Sequence, residues 1–413
     1  MKVVLIHPDH ENSTDSRLDP PLGLLYIAAY LRKNNIDVEV CDLSGQPNLI
    51  IPYADIYGIT SYISTLEITK KITDSCRKTN PNCKIVIGGA HATACPEDFP
   101  YADHVVVGFG EKAMYDIVSG SNINRIQIGY QNINPILYPA YDLIDPFSYH
   151  RKIGGKTSLP VLTSRGCPYK CSFCGLERMH KLTGSIVNLL FPEDVYYIVS
   201  KIKNDFGIDK INFQDDIFTL NRKRLFKILD LIKSLNIGFR CMGRANYDTE
   251  ETYEKLAEAG CSDISWGIES GSQLILDRMN KQVKVQDNYN VIKWAKKYGI
   301  TSRAFFIFGF PGETKDTIEE TKRFIENSDP DQIFVSSMVP YPATDVGDNP
   351  EKYGISNMSK DYNQYYQVSK DGTGGITIDT EWLSKEEFRE LELNFREWTK
   401  QRPMRGFLQD YEK

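Results

Sequence analysis

The chain is 413 residues long, enough for two or three domains at about 100–200 residues each and too long for one ordinary compact domain. Hydrophobic residues at 41% and charged residues at 25% lie near the globular average and exclude disorder throughout. The 49 basic and 55 acidic side chains leave a net charge of -6, which argues against wholesale binding to a polyanion, so neither a nucleic acid nor a membrane surface is expected as a partner.

No apolar run reaches about 18 residues, so no transmembrane helix is expected. The opening Met1-Lys2-Val3-Val4-Leu5-Ile6-His7-Pro8 lacks the longer apolar core and cleavage site of a secretory signal, and the expected location is cytoplasmic. Residues 1–120 read as alternating strand and helix. Short apolar runs at 3–6, 38–40, 56–59, 85–87 and 105–107 suit a parallel sheet buried on both faces. Helical spacing puts Leu22, Leu25, Tyr26, Ala29 and Tyr30 on one face, and 66–78 reads as a second helix. The runs end in His7-Pro8, Thr60-Ser61-Tyr62, Gly88-Gly89-Ala90-His91 and Gly108-Phe109-Gly110-Glu111, turns that would line the carboxyl edge of a doubly wound, Rossmann-like domain, where ligands bind. Residues 121–158 change character. Asn122-Ile123-Asn124, Asn132, Asn134-Pro135, Pro139 and Asp145-Pro146 are rich in turn formers, and the stretch reads as a packed linker.

From 159 to 341 the alternation restarts. Strands are expected at 159–163, 210–213, 238–241, 263–268, 302–308 and 333–339, and helices near 192–206, 221–236, 249–259, 285–298 and 315–327. Six such units predict a parallel (β/α)6 partial TIM barrel. Residues 342–413, polar and rich in Tyr and Gly before an amphipathic helix near 384–399, read as a small C-terminal cap. The fold class expected is therefore α/β: a Rossmann-like domain, a partial barrel and a cap.

Six of the nine cysteines stand singly and read as small buried hydrophobes. An odd count in a chain of this size makes a disulfide framework unexpected. The other three, Cys167, Cys171 and Cys174, follow the first barrel strand in Arg165-Gly166-Cys167-Pro168-Tyr169-Lys170-Cys171-Ser172-Phe173-Cys174. A four-iron cluster takes one thiolate per iron, so three thiolates leave one iron open to a small ligand. The competing readings are unrelated core cysteines and a zinc site. Zinc would want a fourth ligand, and the only histidine close by is His180.

This C-x3-C-x2-C spacing, with Phe173 before the last cysteine, resembles the radical S-adenosylmethionine (radical SAM) superfamily. The resemblance implies a [4Fe-4S] cluster on Cys167, Cys171 and Cys174 as metal ligands and catalytic residues. It implies SAM on the open iron, reductive cleavage to a 5′-deoxyadenosyl radical, and Phe173 against the adenine. An external one-electron donor such as flavodoxin or ferredoxin is implied as a partner. The other barrel turns match the family at Gln214-Asp215-Asp216, Arg240-Cys241-Met242-Gly243-Arg244, Glu269-Ser270-Gly271 and Gly309-Phe310-Pro311-Gly312-Glu313-Thr314. By resemblance, Arg244 and Glu269 contact the ribose or methionine end of SAM, Gly309, Pro311 and Gly312 let backbone approach the adenine, and Gln214, Asp215, Asp216 and Ser270 lie near SAM. Adjacent carboxylates are costly to bury unpaired, so Asp215 and Asp216 should also meet donors or a cation. Thr314 can instead cap the next helix.

The Rossmann-like domain ahead of the barrel, with Pro20-Pro21-Leu22-Gly23-Leu24-Leu25 and the Gly-rich turns, resembles the cobalamin-binding subclass. Cobalamin is therefore implied, with Thr60, Ser61, Tyr62, Gly88, Gly89, His91, Gly108, Gly110 and Glu111 as its contacts. The Asp-x-His-x-x-Gly motif of the methionine-synthase type is absent, which predicts that no histidine replaces the dimethylbenzimidazole. His7, His10, His104, His150 and His180 have no metal-ligand spacing and read as surface or satisfied residues. The leading function is methyl transfer from cobalamin to an unactivated carbon of a small-molecule or peptide substrate. The alternatives are a radical SAM dehydration, epimerisation, cyclisation or rearrangement with cobalamin absent or otherwise employed, and a non-catalytic iron–sulfur or zinc protein. The competing reading of the N-terminal domain is a vestigial scaffold that helps only to close the substrate cavity.

Overall fold

A computed structural model describes all residues except 11, 12, 47, 122, 123, 130–136, 185, 369–371, 403, 404 and 406–413. The expected linker residues Asn122, Ile123, Asn132, Asn134 and Pro135 and the end of the expected cap lie outside the described residues. The chain divides into two compact units, Met1–His150 with Gly175–Asn188, and Arg151–Cys174 with Leu189–Lys413.

The first unit is a parallel sheet of six strands: β1 (Lys2–His7), β2 (Asp37–Asp42), β3 (Ile56–Thr60), β4 (Lys84–Gly88), β5 (His104–Gly108) and β6 (Ile126–Gly129), in the order β2-β1-β3-β4-β5-β6. Its β-branched runs are buried on both faces, as parallel strands covered by helices require. Val4 and Ile6 of β1 join one core with Ile59, Ile85 and Ile87, while Val3 and Leu5 join the other with Val86 and Val106. Alternate side chains of one strand thus serve two cores. The order reverses at β1, with β2 on one side and β3 on the other, so the carboxyl ends of β1 and β3 flank the switch point.

Helices α1 (Leu22–Lys33), α2 (Leu66–Thr79), α3 (Ala90–Ala94) and α4 (Gly110–Ser119) connect these strands. The buried residues of α1 are Leu22, Leu24, Leu25, Tyr26, Ala28 and Leu31, so the face drawn through Ala29 and Tyr30 is corrected. The helix meets both the sheet and α4, which rotates its apolar stripe away from the simplest i, i+3, i+4 choice. Gly110 permits that α1–α4 contact, since a Cβ there would lie 2.5 Å from Ile27 Cδ1. Part of the expected linker is also corrected: Ile126–Gly129 pairs with β5 as the sixth strand. It is a four-residue edge strand with Ile126 and Ile128 exposed, too short and too solvated to stand out from turn-rich neighbours. Helix α5 (Leu176–Thr183) packs on β5 and β6.

In the second unit, β7 (Leu159–Val161), β8 (Lys210–Phe213), β9 (Gly238–Gly243), β10 (Cys261–Glu269), β11 (Thr301–Phe308) and β12 (Gln332–Ser337) form a parallel sheet in the order β12-β11-β10-β9-β8-β7. The alternating expectation holds at all six strands. Pro160 is tolerated within β7 because that strand is an edge. Helices α6 (Pro192–Phe206), α7 (Arg222–Lys233), α8 (Glu250–Glu258), α9 (Gln273–Arg278), α10 (Val285–Lys297), α11 (Lys315–Ser328), α12 (Asp345–Asp348) and α13 (Lys385–Lys400) complete it. Of these, α9 and α12 have no counterpart in the sequence reading, being too short to show a period.

The other edge, β12, carries α13. Arg396 Nη1 donates to the Val335 carbonyl at 2.8 Å and Nη2 to Ser337 Oγ at 3.2 Å, while Ser337 Oγ also bonds buried Glu392. Ser384 caps α13 in a reciprocal box with Glu387. No helix among the described residues is long and apolar enough to cross a membrane.

Candidate active site

The cysteine loop leaves β7 and is fixed at both ends by its own unit. At the start, Thr163 N–H and Ser164 N–H donate to Asp215 Oδ1 at 2.6 and 3.1 Å, and the Thr163 hydroxyl donates to Asp215 Oδ2. Asp216 Oδ2 accepts from Gly166 N–H at 2.9 Å. The two carboxylates after β8 thus meet donors, as their adjacency requires. Asp215 is fully buried, which raises its pKa against the pull of those hydrogen bonds and of Arg224. Gly166 has φ +94, a conformation that suits glycine. Farther on, Ser172 N–H donates to the Met279 carbonyl at 2.9 Å, Asn280 Nδ2 to the Lys170 carbonyl at 2.7 Å, and Cys174 N–H to the Cys171 carbonyl at 3.0 Å.

None of the nine cysteines is in a disulfide; Cys171 is buried and Cys167 and Cys174 are partly buried. Three soft sulfur donors in one short braced loop fit a four-iron cluster, which takes one thiolate per iron, with one iron left open. Arg244 Nη1 lies 3.9 Å from Cys171 Sγ, and its guanidinium stacks 3.5 Å from the Tyr169 ring centroid. Arg244 is held there by Asn246 Oδ1 and the Lys281 carbonyl.

At the end of β10, Glu269 adopts φ +65 and its carboxylate meets Lys281 Nζ at 2.7 Å, both side chains buried. Gly267 leaves the space for this pair, since a Cβ there would overlap Glu269 Oε1 and sit 2.9 Å from Lys281 Nζ. Lys281 also lies 5.7 Å from the Phe173 ring centroid. The structure thus brings Cys171, Phe173, Arg244 and Glu269 into one connected network through Lys281 and Tyr169. Sequence reading missed those two. The readable signal was the Arg278-Met279-Asn280-Lys281-Gln282 turn, where Asn280 and Gln282 are both left-handed without being glycine.

Other expected residues are committed to the chain. Ser270 Oγ lies 3.2 Å from Thr321 Oγ1 and accepts from Ser272 N–H at 3.1 Å. The Pro311 carbonyl accepts from Arg278 Nε at 3.1 Å, and Gly312, at φ +102, lets Arg278 pass. Gly309, at φ +85, donates its N–H to Glu313 Oε2 at 2.6 Å. Glu313 is buried, and desolvation pushes its pKa up to about 8. Thr314 caps α11, accepting from Thr317 N–H. Gln214 is tied by its backbone N–H to the Val161 carbonyl at 2.9 Å.

In the first unit, Thr60, Ser61 and Tyr62 follow β3, and Gly88, Gly89 and His91 follow β4. Ser61 N–H donates to the Gly88 carbonyl at 2.8 Å and His91 N–H to the Ser61 carbonyl at 3.1 Å. Gly89, at φ +101, is glycine because a Cβ would lie 2.7 Å from Thr60 Oγ1. His91 is buried, 2.8 Å from Asp98 Oδ2. Gly108, at φ +95, faces the Gly129 carbonyl and Thr183, so packing requires it too. Glu111 opens α4.

The reading of the histidines needs one correction. His150 pairs with Asp15 and His104 with the Asn124 carbonyl, but His7 is buried and its Nδ1 has no hydrogen-bond partner. His10 and Tyr62 stand against it, with ring centroids 5.7 and 6.2 Å away. Burial lowers both imidazoles, His10 to about 4, so both are neutral at pH 7. This orphaned nitrogen at the switch point, with Gly-rich turns beside it, fits a bound group that carries its own polar atoms.

Two family models match the chain: the radical SAM superfamily over residues 161–325 and the B12 binding domain over residues 18–118. The chain is 31% identical over 396 residues to an uncharacterized methyltransferase of Pyrococcus horikoshii, covering 86% of this chain and 84% of that one. It is 28% identical over 341 residues to the bacteriochlorophyllide d C-8(2)-methyltransferase of Chlorobaculum tepidum, covering 76% and 73%. Its fold is similar to that of TsrM of Kitasatospora setae, a radical S-adenosylmethionine methyltransferase solved with tryptophan and a SAM analogue, with TM-score 0.69, 17% identity and coverage of 93% and 85%. With a B12 binding domain ahead of a radical SAM domain, and a relative alike along most of both chains, this protein belongs to the radical SAM superfamily, among its members that use a [4Fe-4S] cluster, SAM and cobalamin.

Proposed function

We propose that this chain is a cobalamin-dependent radical SAM methyltransferase, acting on an unactivated carbon of a small molecule or peptide. The observation that carries the reading is the braced loop that presents three cysteines outside any disulfide, with Arg244 beside Cys171. When bound, the cluster and SAM supply a carbon radical that takes hydrogen from the substrate, and cobalamin supplies the methyl group.

In this reading Cys167, Cys171 and Cys174 hold three irons. Arg244 balances the negative charge of the thiolates. The buried Lys281–Glu269 pair and Phe173 shape the SAM pocket from one side, and the 309–312 turn from another, with Gln214 and Asp216 at its rim. Asp215 and Ser270 act as positioning residues that keep the loops in place. Thr60, Ser61, Tyr62, Gly88, Gly89, His91, Gly108, Gly110 and Glu111 form the edge that receives cobalamin. Flavodoxin or ferredoxin serves as electron donor, and the enzyme works in the cytoplasm. The methyltransferase names of the relatives support group transfer over the other radical outcomes.

The test is an anaerobic preparation, reconstituted with iron and sulfide and incubated with SAM and dithionite. It should release 5′-deoxyadenosine, and Cys167→Ala, Cys171→Ala and Cys174→Ala should each abolish both the brown absorbance and that release. A triple variant that still cleaves SAM reductively would contradict the reading.

A further inference from the structure

After β4 the chain runs His91-Ala92-Thr93-Ala94-Cys95-Pro96-Glu97-Asp98-Phe99, and three of these side chains meet. Helix α3 sets His91 and Cys95 one turn apart on the same face, with Cys95 N–H donating to the His91 carbonyl at 2.8 Å. Pro96 stops that helix and opens a short 3-10 turn, Pro96–Asp98, which folds Asp98 back: its N–H donates to the Cys95 carbonyl at 3.2 Å. His91 Nε2 lies 2.8 Å from Asp98 Oδ2, and the ligand atoms of His91, Cys95 and Asp98 all lie within 4.8 Å of one another.

The frame around them is fixed. Ala92 and Phe99 are fully buried, and the His91 and Phe99 rings pack edge to face with centroids 5.7 Å apart. Thr93 Oγ1 donates to the Gly89 carbonyl at 2.8 Å and accepts from Gly108 N–H at 3.1 Å, which ties α3 to the end of β5. Arg125 Nη2 donates to the Phe99 carbonyl at 2.7 Å. The three donors therefore sit on a rigid support, as a metal site requires.

His91 and Asp98 alone would make an ordinary hydrogen bond; the sulfur beside them changes the chemistry. Imidazole, thiolate and carboxylate together suit zinc, whereas magnesium and calcium take oxygen ligands. Around a tetrahedral zinc ion such atoms stand roughly 3.3–3.8 Å apart, a spacing these three reach by side-chain rotation. The His91 side chain is 1% exposed and that of Asp98 33%, so the site is closed on the imidazole side and open to water on the other.

We infer that His91, Cys95 and Asp98 bind a zinc ion, with water in the fourth position. The Cys95 thiol gives up its proton on binding. The ion takes the place of the hydrogen between Nε2 and Oδ2, and the imidazole stays neutral with its N–H on Nδ1. The site clasps α3 to the 3-10 turn behind it, and it stands whether or not cobalamin binds at the neighbouring turns.

The full chain, with its cluster reconstituted so that the loop thiols are occupied, is given one equivalent of zinc and freed of loose metal by gel filtration. X-ray absorption at the zinc edge should show one sulfur at about 2.3 Å among nitrogen and oxygen neighbours at about 2.0 Å. Cys95→Ser, at a partly buried position where serine fits, should lose that sulfur. In the unmutated chain, which no misfolding can affect, zinc should slow alkylation of Cys95 about tenfold or more, read by peptide mass spectrometry. A chain that retains no zinc, a shell of nitrogen and oxygen only, a sulfur that survives Cys95→Ser, or an unchanged alkylation rate would each overturn the site. All four would leave the radical SAM and cobalamin readings standing.

Discussion

Lys281 and Glu269 illustrate how single residues are placed by demands that the linear sequence hides. Each is buried, so each needs the other, and removing one leaves a stranded charge. Lys281→Met should cost about 3–5 kcal/mol in urea unfolding of the cofactor-free chain. The double variant Lys281→Met with Glu269→Gln should recover part of that loss; a single variant as stable as wild type would show that the pair is not dry. Glu313 offers a pH test. Its folded pKa, near 8, exceeds the unfolded value of 4.5. The native state therefore keeps a proton that the unfolded state releases, and stability falls as pH rises from about 4.5 to 8. Glu313→Gln should match wild type below that window and become progressively more stable across it, by at most about 1.4 kcal/mol per pH unit. A constant gap across the range would refute the buried proton.

Among the elements, the barrel strands and the long helices were legible because each carries its own period. Expected helices at 192–206 and 315–327 coincide closely with Pro192–Phe206 and Lys315–Ser328, the first marked by Pro192 at its start and Gly207 at its end. β6, α9 and α12 were not legible, because their existence depends on a partner strand or on neighbouring loops. The tail helix was visible by its amphipathicity, but its docking on β12 was not. There Glu392 is 2% exposed and depends on Arg396 at 2.6 Å. Arg396→Ala should destabilise by about 3 kcal/mol and speed amide exchange in β12 more than in β8. Equal protection of both strands would mean that α13 does not shield that edge.

At the scale of the whole molecule, the three loop cysteines proposed to hold the cluster and the switch-point residues belong to separate compact units. The two cofactors should therefore load independently. The triple variant Cys167→Ala, Cys171→Ala, Cys174→Ala, prepared with hydroxocobalamin, should lose its iron–sulfur absorbance and keep a corrin spectrum close to wild type. Loss of both colours together would point to a single cooperative site. The segment 175–188 follows the last cysteine directly in sequence yet belongs to the first unit. Nothing in its composition announced that.

The α/β class, the strand periods and the C-x3-C-x2-C cluster were determined by sequence alone, because local propensity, burial pattern and close ligand spacing act over a few residues. Tertiary structure decided which polar groups would share a space. Lys281 met Glu269, Asp215 met the start of the cysteine loop, and His7 was sealed beside His10 and Tyr62 only once distant turns converged. Such contacts join residues up to 55 positions apart, as from His7 to Tyr62, and no local pattern encodes them; they follow from which strand ends the sheet order makes neighbours.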